Sequence, residues 1–245
     1  MIKKENKAFI RNVWKLVFRT LLLAVSIYLI ITDVEKLDFT AVFHQGFGAG
    51  FLVVVWIMLA FEMLSRIIPN RRIEIGARKH FSCSYSAARF TENGMMDMGD
   101  LRKRLNKGAV YSAFFWLLVS SAAVLLLRFL GLLTPATVFI FMLVYSVADL
   151  VCIMFFCPFQ VFFLHNRCCT SCRIYNWDFF MMCAPMMLFP HVYSLSLVFL
   201  SVAALLQWEA AIFKNPHYFL EETNASLRCE SCKDKSRLSC DVKKM

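Results

Sequence analysis

Long apolar runs, each near the length of a bilayer crossing, alternate along this chain with short basic stretches. A helix needs about 20 mostly apolar residues to cross a hydrocarbon core about 30 Å thick. Four runs meet that need: residues 14–32, 43–65, 109–130 and 136–156. Lys15 and Arg19 stand in the first two turns of the first run, where long side chains can snorkel to the interface. No small-x-small cleavage signal follows that run, only Asp33, Val34, Glu35 and Lys36, so it reads as an uncleaved span. Gly46 and Gly50 form a G-x-x-x-G pair at the head of the second run, a spacing that permits close helix approach. Gly131 to Pro135 predicts a tight turn between the third and fourth spans. Pro158, after Cys157, weakens the end of the fourth span, because proline removes a backbone donor and crowds the preceding turn. The apolar run goes on to Leu164.

The last apolar region, residues 179–213, is harder to assign. As one straight helix it would be about 52 Å long, too long for one crossing, yet two full spans need about 40 residues. Pro185, Pro190 and His191 interrupt it. The pattern predicts a short, re-entrant or interfacial element followed by a full span. Basic residues set the orientation. Six lie at or before Arg19, ten between Arg66 and Lys107, and two in the loop 165–178, against only Lys36 and Arg128 in the alternate connections. Cytoplasmic loops carry excess Lys and Arg, so the N-terminus is expected in the cytoplasm. Seven more basic residues follow Phe213, which puts the tail there too and makes 179–213 a hairpin. The fold class expected is all-α: a polytopic transmembrane bundle (1–213) of five clear spans and a short broken sixth, with a cytoplasmic tail (214–245). The expected location is a plasma membrane of the bacterial kind.

Composition supports this class. The chain has 245 residues, 59% of them hydrophobic and 18% charged. An ordinary globular domain is about 45–50% apolar and about 25% charged. A disordered chain, a coiled coil and a typical water-soluble enzyme are thereby excluded. The net charge of +10 would suggest nucleic acid in a soluble protein, but here most of it is the orientation signal. No nucleic-acid module accompanies it, so the expected partners are the bilayer itself, anionic lipid along the basic segment 66–108, and other membrane proteins.

Cysteine clustering supplies the candidate chemistry. Cys168, Cys169 and Cys172 form C-C-x-x-C in the loop after the fourth span, and Cys229 and Cys232 form C-x-x-C in the tail, with Cys240 eight residues on. Two residues between cysteines let both thiolates of a tight turn face one cation. Two such knuckles supply four ligands for tetrahedral zinc or for an iron–sulfur cluster. Zinc is the favoured occupant; the additional thiols leave room for a cluster, a second metal or a redox role. Disulfides are rare on a reducing cytoplasmic face, and unlinked thiols acting as small hydrophobes are the plain alternative. A cytoplasmic tail brings both knuckles to one face; an external tail would separate them by the bilayer.

Inside the spans, Asp149, Cys152 and Cys157 project onto one half-face of a regular helix at 100° per residue. Intramembrane acids are costly and mark function or a buried partner. Glu62 and Glu209 lie near span ends, where they can reach water. The Met181-Met182-Cys183-Ala184-Pro185-Met186-Met187 stretch offers soft ligands for a metal such as Cu(I), or simply adaptable packing. His191, at the hairpin tip, is a cap or a ligand. Cys157-Pro158 resembles the translocation motif of heavy-metal pumps, without their ATPase machinery. Lys214-Asn215-Pro216-His217-Tyr218 resembles the basic-x-Pro-x-Tyr signature of membrane isoprenylcysteine-type methyltransferases, which implies S-adenosylmethionine binding near the C-terminus. Asn224-Ala225-Ser226 fits a glycosylation sequon that a cytoplasmic tail would leave inert. No catalytic triad, phosphate loop or H-E-x-x-H is present. Three function classes follow: a membrane scaffold or accessory subunit with a structural or sensory metal, a soft-metal handling protein, and a membrane redox protein.

Overall fold

The computed structural model describes residues 7–32, 47–69, 74–88, 98–165 and 169–228. Among the described residues the fold is all-helical, with a single antiparallel bridge between Ala87 and Asn224. In chain order the α-helices are α1 (Lys7–Thr32), α2 (Phe47–Ile67), α3 (Ile75–Arg78), α4 (Met98–Phe129), α5 (Pro135–Met154), α6 (Asp178–Cys183) and α7 (Val192–Lys214). Five of them, α1, α2, α4, α5 and α7, are long and apolar enough to cross a membrane.

Helical spacing selects the core. Leu52, Val55, Leu59 and Met63 form one stripe of α2, and Phe139, Met142 and Leu143 one of α5; both are buried in one core that also holds Leu197 of α7. Phe61, Phe129 and Phe199 point outward, as a lipid-facing surface requires. Lipid tails are as apolar as leucine, so helix association in a bilayer draws on packing and interhelical hydrogen bonds. Trp56 Nε1 of α2 donates to Ser196 Oγ of α7 at 2.8 Å, and the Tyr193 hydroxyl of α7 donates to Leu52 O at 3.0 Å. Ser120 and Tyr145 join α4 to α5 at 2.7 Å. The G-x-x-x-G expectation fails where it is visible: a Cβ on Gly50 would meet nothing within 4 Å, so no helix approaches there. Gly46 lies outside the described residues.

Several span boundaries move, the first helix starting at Lys7 rather than at 14. The third span begins at Met98 rather than at 109, because the basic residues before it continue the same helix. Its 32 residues make about 48 Å, so its first turns extend past the bilayer core. The fourth span starts at a Thr134 cap whose side chain accepts from Thr137 N, with Pro135 in the first turn, and it ends at Met154. Pro158 cannot continue the ladder, and the chain re-forms as a π-helical turn, Gln160–Leu164, pressed against α4.

The ambiguous region becomes a narrow sixth element. The six residues of α6 run into a 3-10 turn, Ala184–Leu188, together about 19 Å long and packed among α5 and α7. Pro185 sits in the first turn of that segment, where its missing donor costs nothing. The element begins at Asp178 and delivers the chain to the start of α7, beside Leu52 near the start of α2, so it reaches the opposite end of the bundle. By returning, α7 brings residues 215–228 back beside the loop that follows α5. We call this the basic end.

Candidate functional site

The basic end is a plate whose centre is the loop from Cys169 to Asp178. Five side chains there, Arg173, Tyr175, Asn176, Trp177 and Asp178, are tied to other elements. Arg173 holds Glu209 of α7 through both oxygens, at 2.7 and 2.6 Å, and donates to Asn106 of α4 at 3.1 Å. Trp177 Nε1 donates to the same Glu209 at 2.7 Å. Arg66, in the last turn of α2, donates to Asp178 at 2.7 Å and to Asn176 at 3.2 Å, and stacks over the Phe179 ring at 4.3 Å. Tyr175 donates to Glu74 at 2.7 Å. Burial and the adjacent Glu74 carboxylate both raise the Tyr175 pKa, so the hydroxyl keeps its proton and remains a donor. Glu209, expected to reach water, keeps 36% of its side chain exposed and is also the anchor of an Arg–Trp clamp.

Below the loop lies a fully buried lysine. Lys79 follows α3 at 0% exposure, and its Nζ donates to Thr170 O at 2.9 Å and to Cys172 O at 2.6 Å. The Trp208 and Phe219 rings stand 5.3 and 5.4 Å from it, in cation–π range. Carbonyls and ring faces replace the lost water, so the ammonium fastens the cysteine turn to the protein interior. Gly76 makes the approach possible: a Cβ there would sit 3.0 Å from the Tyr175 ring and 3.3 Å from Thr170 Cα.

Of the predicted ligands, Cys172 is described in full. It is buried, and burial pushes its thiol up to about 12, with Lys79 opposing the rise and Cys157 adding to it. Coordination by a cation reverses such a shift, since a bound thiol is deprotonated outright. Cys169 opens the 3-10 turn Cys169–Ser171. Cys168, Cys229, Cys232 and Cys240 lie outside the described residues. Among the described residues, no group of three or more His, Cys, Asp or Glu side chains converges as a metal site.

The half-face predicted for Asp149, Cys152 and Cys157 does not form. The helix stops at Met154, so Cys157 leaves the helical register, and it lies close enough to Cys172 to raise that thiol's pKa. Met182, Cys183 and Met186 are buried in the apolar core among Met63, Met142 and Phe179, which is packing. His191 caps α7: its backbone N–H donates to Ser194 Oγ at 2.9 Å, at the end of the bundle remote from the cysteines. Asn215 to Tyr218 form a turn capping α7. Asn224, the sequon residue, is fully buried; its side chain accepts from Ser86 N at 3.2 Å and donates to Tyr218 O at 2.8 Å, so it pins the C-terminal segment rather than offering an amide.

A second constellation lies one to two turns inside the bundle. Arg19 of α1 does not snorkel. It is 2% exposed, bonds to Glu62 of α2, donates to Ser146 O at 2.7 Å, and stands 3.7 Å from Asp149 of α5. Lys15 adds a 3.6 Å contact to Glu62. Each charge has a separate explanation when its helix is considered alone. The signal is their common depth: Glu62 and Asp149 both lie five residues before the end of their helices at the basic end. Lys79 has no comparable signal, since one lysine in a basic stretch looks solvated.

Comparison with models of known protein families, with curated proteins and with solved structures finds no match. The functional reading therefore stands on geometry and chemistry alone.

Proposed function

We propose that this multipass protein carries a metal on its cytoplasmic face, held between the C-C-x-x-C loop (Cys168, Cys169, Cys172) and the tail (Cys229, Cys232, with Cys240 in reserve). Its role is structural or sensory, in a membrane scaffold or accessory subunit, with zinc as the occupant. The supporting observation is the position of α3. This four-residue helix, about 6 Å long, touches both the Cys169–Ser171 turn and the Ala225–Leu227 turn. The second turn leads directly into Cys229. The stems of both knuckles therefore share one small support, itself locked by Lys79 and Gly76. A shared support under both stems would lower the entropy lost when a metal is bound between them. Iron–sulfur chemistry is the second reading, favoured by Cys157, a further sulfur close enough to Cys172 to act on its pKa. Anionic lipid along the segment 66–108 is the expected bilayer partner.

Elemental analysis of freshly purified, reduced protein tests this. The expected result is one zinc per chain, lost when Cys229→Ser and Cys232→Ser are combined. Iron with sulfide and a brown colour would establish the cluster. Several Cu(I) ions per chain would establish soft-metal handling. Metal-free protein would refute all three.

A further inference from the structure

A cleft of about 400 Å³ opens at the basic end between α1, α2 and α5, roofed by Glu74 and Tyr175. One wall is a stripe of α1. Arg11, Asn12, Lys15 and Arg19 all line it, and at 100° per residue they fall within a single 100° arc. The other wall is apolar: Met58 and Phe61 from α2, Leu150 and Ile153 from α5. Phe61 is 71% exposed at its rim, on the lipid-facing side of α2.

The polar wall has hydrogen-bonding capacity left over. Asn12 is 1% exposed, and its Nδ2 donates to nothing; Arg19 Nε is in the same state. Buried donors in native structures find acceptors, and a ligand in the cleft can supply them to these two. Across the cleft, Asp149 is 3.7 Å from Arg19, its ion-pair partner, which is longer than a hydrogen bond. This carboxylate can accept from a further donor. With Asp149 ionised, the fixed charges balance. Arg11 pairs with Glu74, Arg66 with Asp178, and Lys15 and Arg19 together with Glu62 and Asp149. A simple anion would leave the site with uncompensated charge. A zwitterion would not.

The level in the membrane selects the kind of zwitterion. Arg11 and Lys15 are each 44% exposed at the start of the apolar run, where headgroups lie. We propose that this cleft binds a phospholipid with a phosphate and a primary ammonium, that is, a phosphoethanolamine headgroup. The phosphate accepts from Asn12 and the basic stripe of α1, the ammonium donates to Asp149, and an acyl chain runs along Phe61. A quaternary choline has no N–H for Asp149, and a glycerol headgroup has no positive charge. The inference rests on the membrane reading and is independent of the metal.

The test uses the full chain in nanodiscs of equimolar ethanolamine, choline and glycerol phospholipids with identical acyl chains, read by native mass spectrometry during stepwise delipidation. One ethanolamine lipid should be retained over the choline lipid by roughly tenfold, the worth of one charge-assisted hydrogen bond. Asn12→Leu and Asp149→Asn should each abolish that preference, and Asn12→Leu should leave metal content unchanged. Should Asp149→Asn fail to fold, Asn12→Leu alone decides. Free phosphoethanolamine should displace the lipid where inorganic phosphate does not. Equal retention of the choline lipid, preference for the glycerol lipid, an undiminished preference in Asn12→Leu, or displacement by phosphate alone would each overturn the proposal.

Discussion

His80 follows the buried Lys79 and is itself packed into the plate, 3.9 Å from the Phe81 ring and 5.3 Å from the Trp208 ring. Burial lowers its pKa from 6.5 to about 4, and the positive neighbours Lys79 and Arg66 add to the fall, against one opposing backbone contact from Ala77. The folded state therefore refuses a proton that the unfolded chain accepts. The associated stability is complete above pH 6.5 and is lost as pH falls from 6.5 toward 4, reaching about 3 kcal/mol. Thermal unfolding in detergent at pH 7.5 and pH 5 should show a clear fall in midpoint for the native chain. His80→Gln, which keeps polarity but does not titrate, should flatten most of that difference. Equal native midpoints at the two pH values would contradict this account. Neither His80 nor Lys79 was legible in the sequence, for one physical reason. Both stand in a stretch with many basic residues, and burial there is imposed from a distance, by Trp208 and Phe219 near the other end of the chain. Residue type in a local window carries no trace of such a contact.

At the scale of elements, apolar length was sufficient to find the five long apolar helices among the described residues, because crossing a bilayer sets a minimum length and hydrophobicity. The short sixth element was legible from its prolines, although not its depth. What length cannot show is where helices meet, and two glycines separate the cases. Gly50, the one with a motif, faces open space, whereas Gly108, with no motif, lets α4 touch the π-helical turn. A Cβ on Gly108 would lie 2.7 Å from Phe163 O and 3.0 Å from a Leu164 methyl. The carbonyl is backbone and cannot rotate away, so Gly108→Ala must push α4 off the turn, at a cost of about 1–3 kcal/mol. Gly50→Ala meets nothing and restricts the unfolded chain, so it should be neutral or stabilising by up to about 1 kcal/mol. Unfolding midpoints of the two variants, compared side by side, check the pair. Similar effects would show that α4 is not seated on that turn. The turn exists because Pro158 ends α5, and the same break moves Cys157 out of the intramembrane face that a regular helix would have given it.

For the whole molecule, the number of crossings decides what can meet. Five spans alone would leave the two cysteine knuckles at opposite ends of the bundle. The narrow sixth element, α6 with its 3-10 continuation, restores an even count, and α7 returns the chain to the loop it left. Three independent ties hold that return: Arg173 and Trp177 on Glu209, Trp208 on the Arg173 carbonyl, and Arg102 on the Phe213 carbonyl at 3.2 Å. None of them can form if residues 215–228 lie across the membrane. The cysteine spacing and the positive-inside bias predict the same topology from different physics, one from metal coordination and the other from membrane insertion. A paired-reporter experiment separates the topology from the metal. Green fluorescent protein fused before Lys3 or after Lys244 should fluoresce, and alkaline phosphatase fused at either place should be inactive. Phosphatase inserted in the connection that contains Lys36, or at Gly131, should be active. Phosphatase activity at the C-terminal fusion alone would mean that the sixth element does not cross, and no metal could then join the loop to the tail. With both fusions cytoplasmic and no metal found, the hairpin would stand on its clamp of Arg173, Trp177 and Glu209 without any need for a cation.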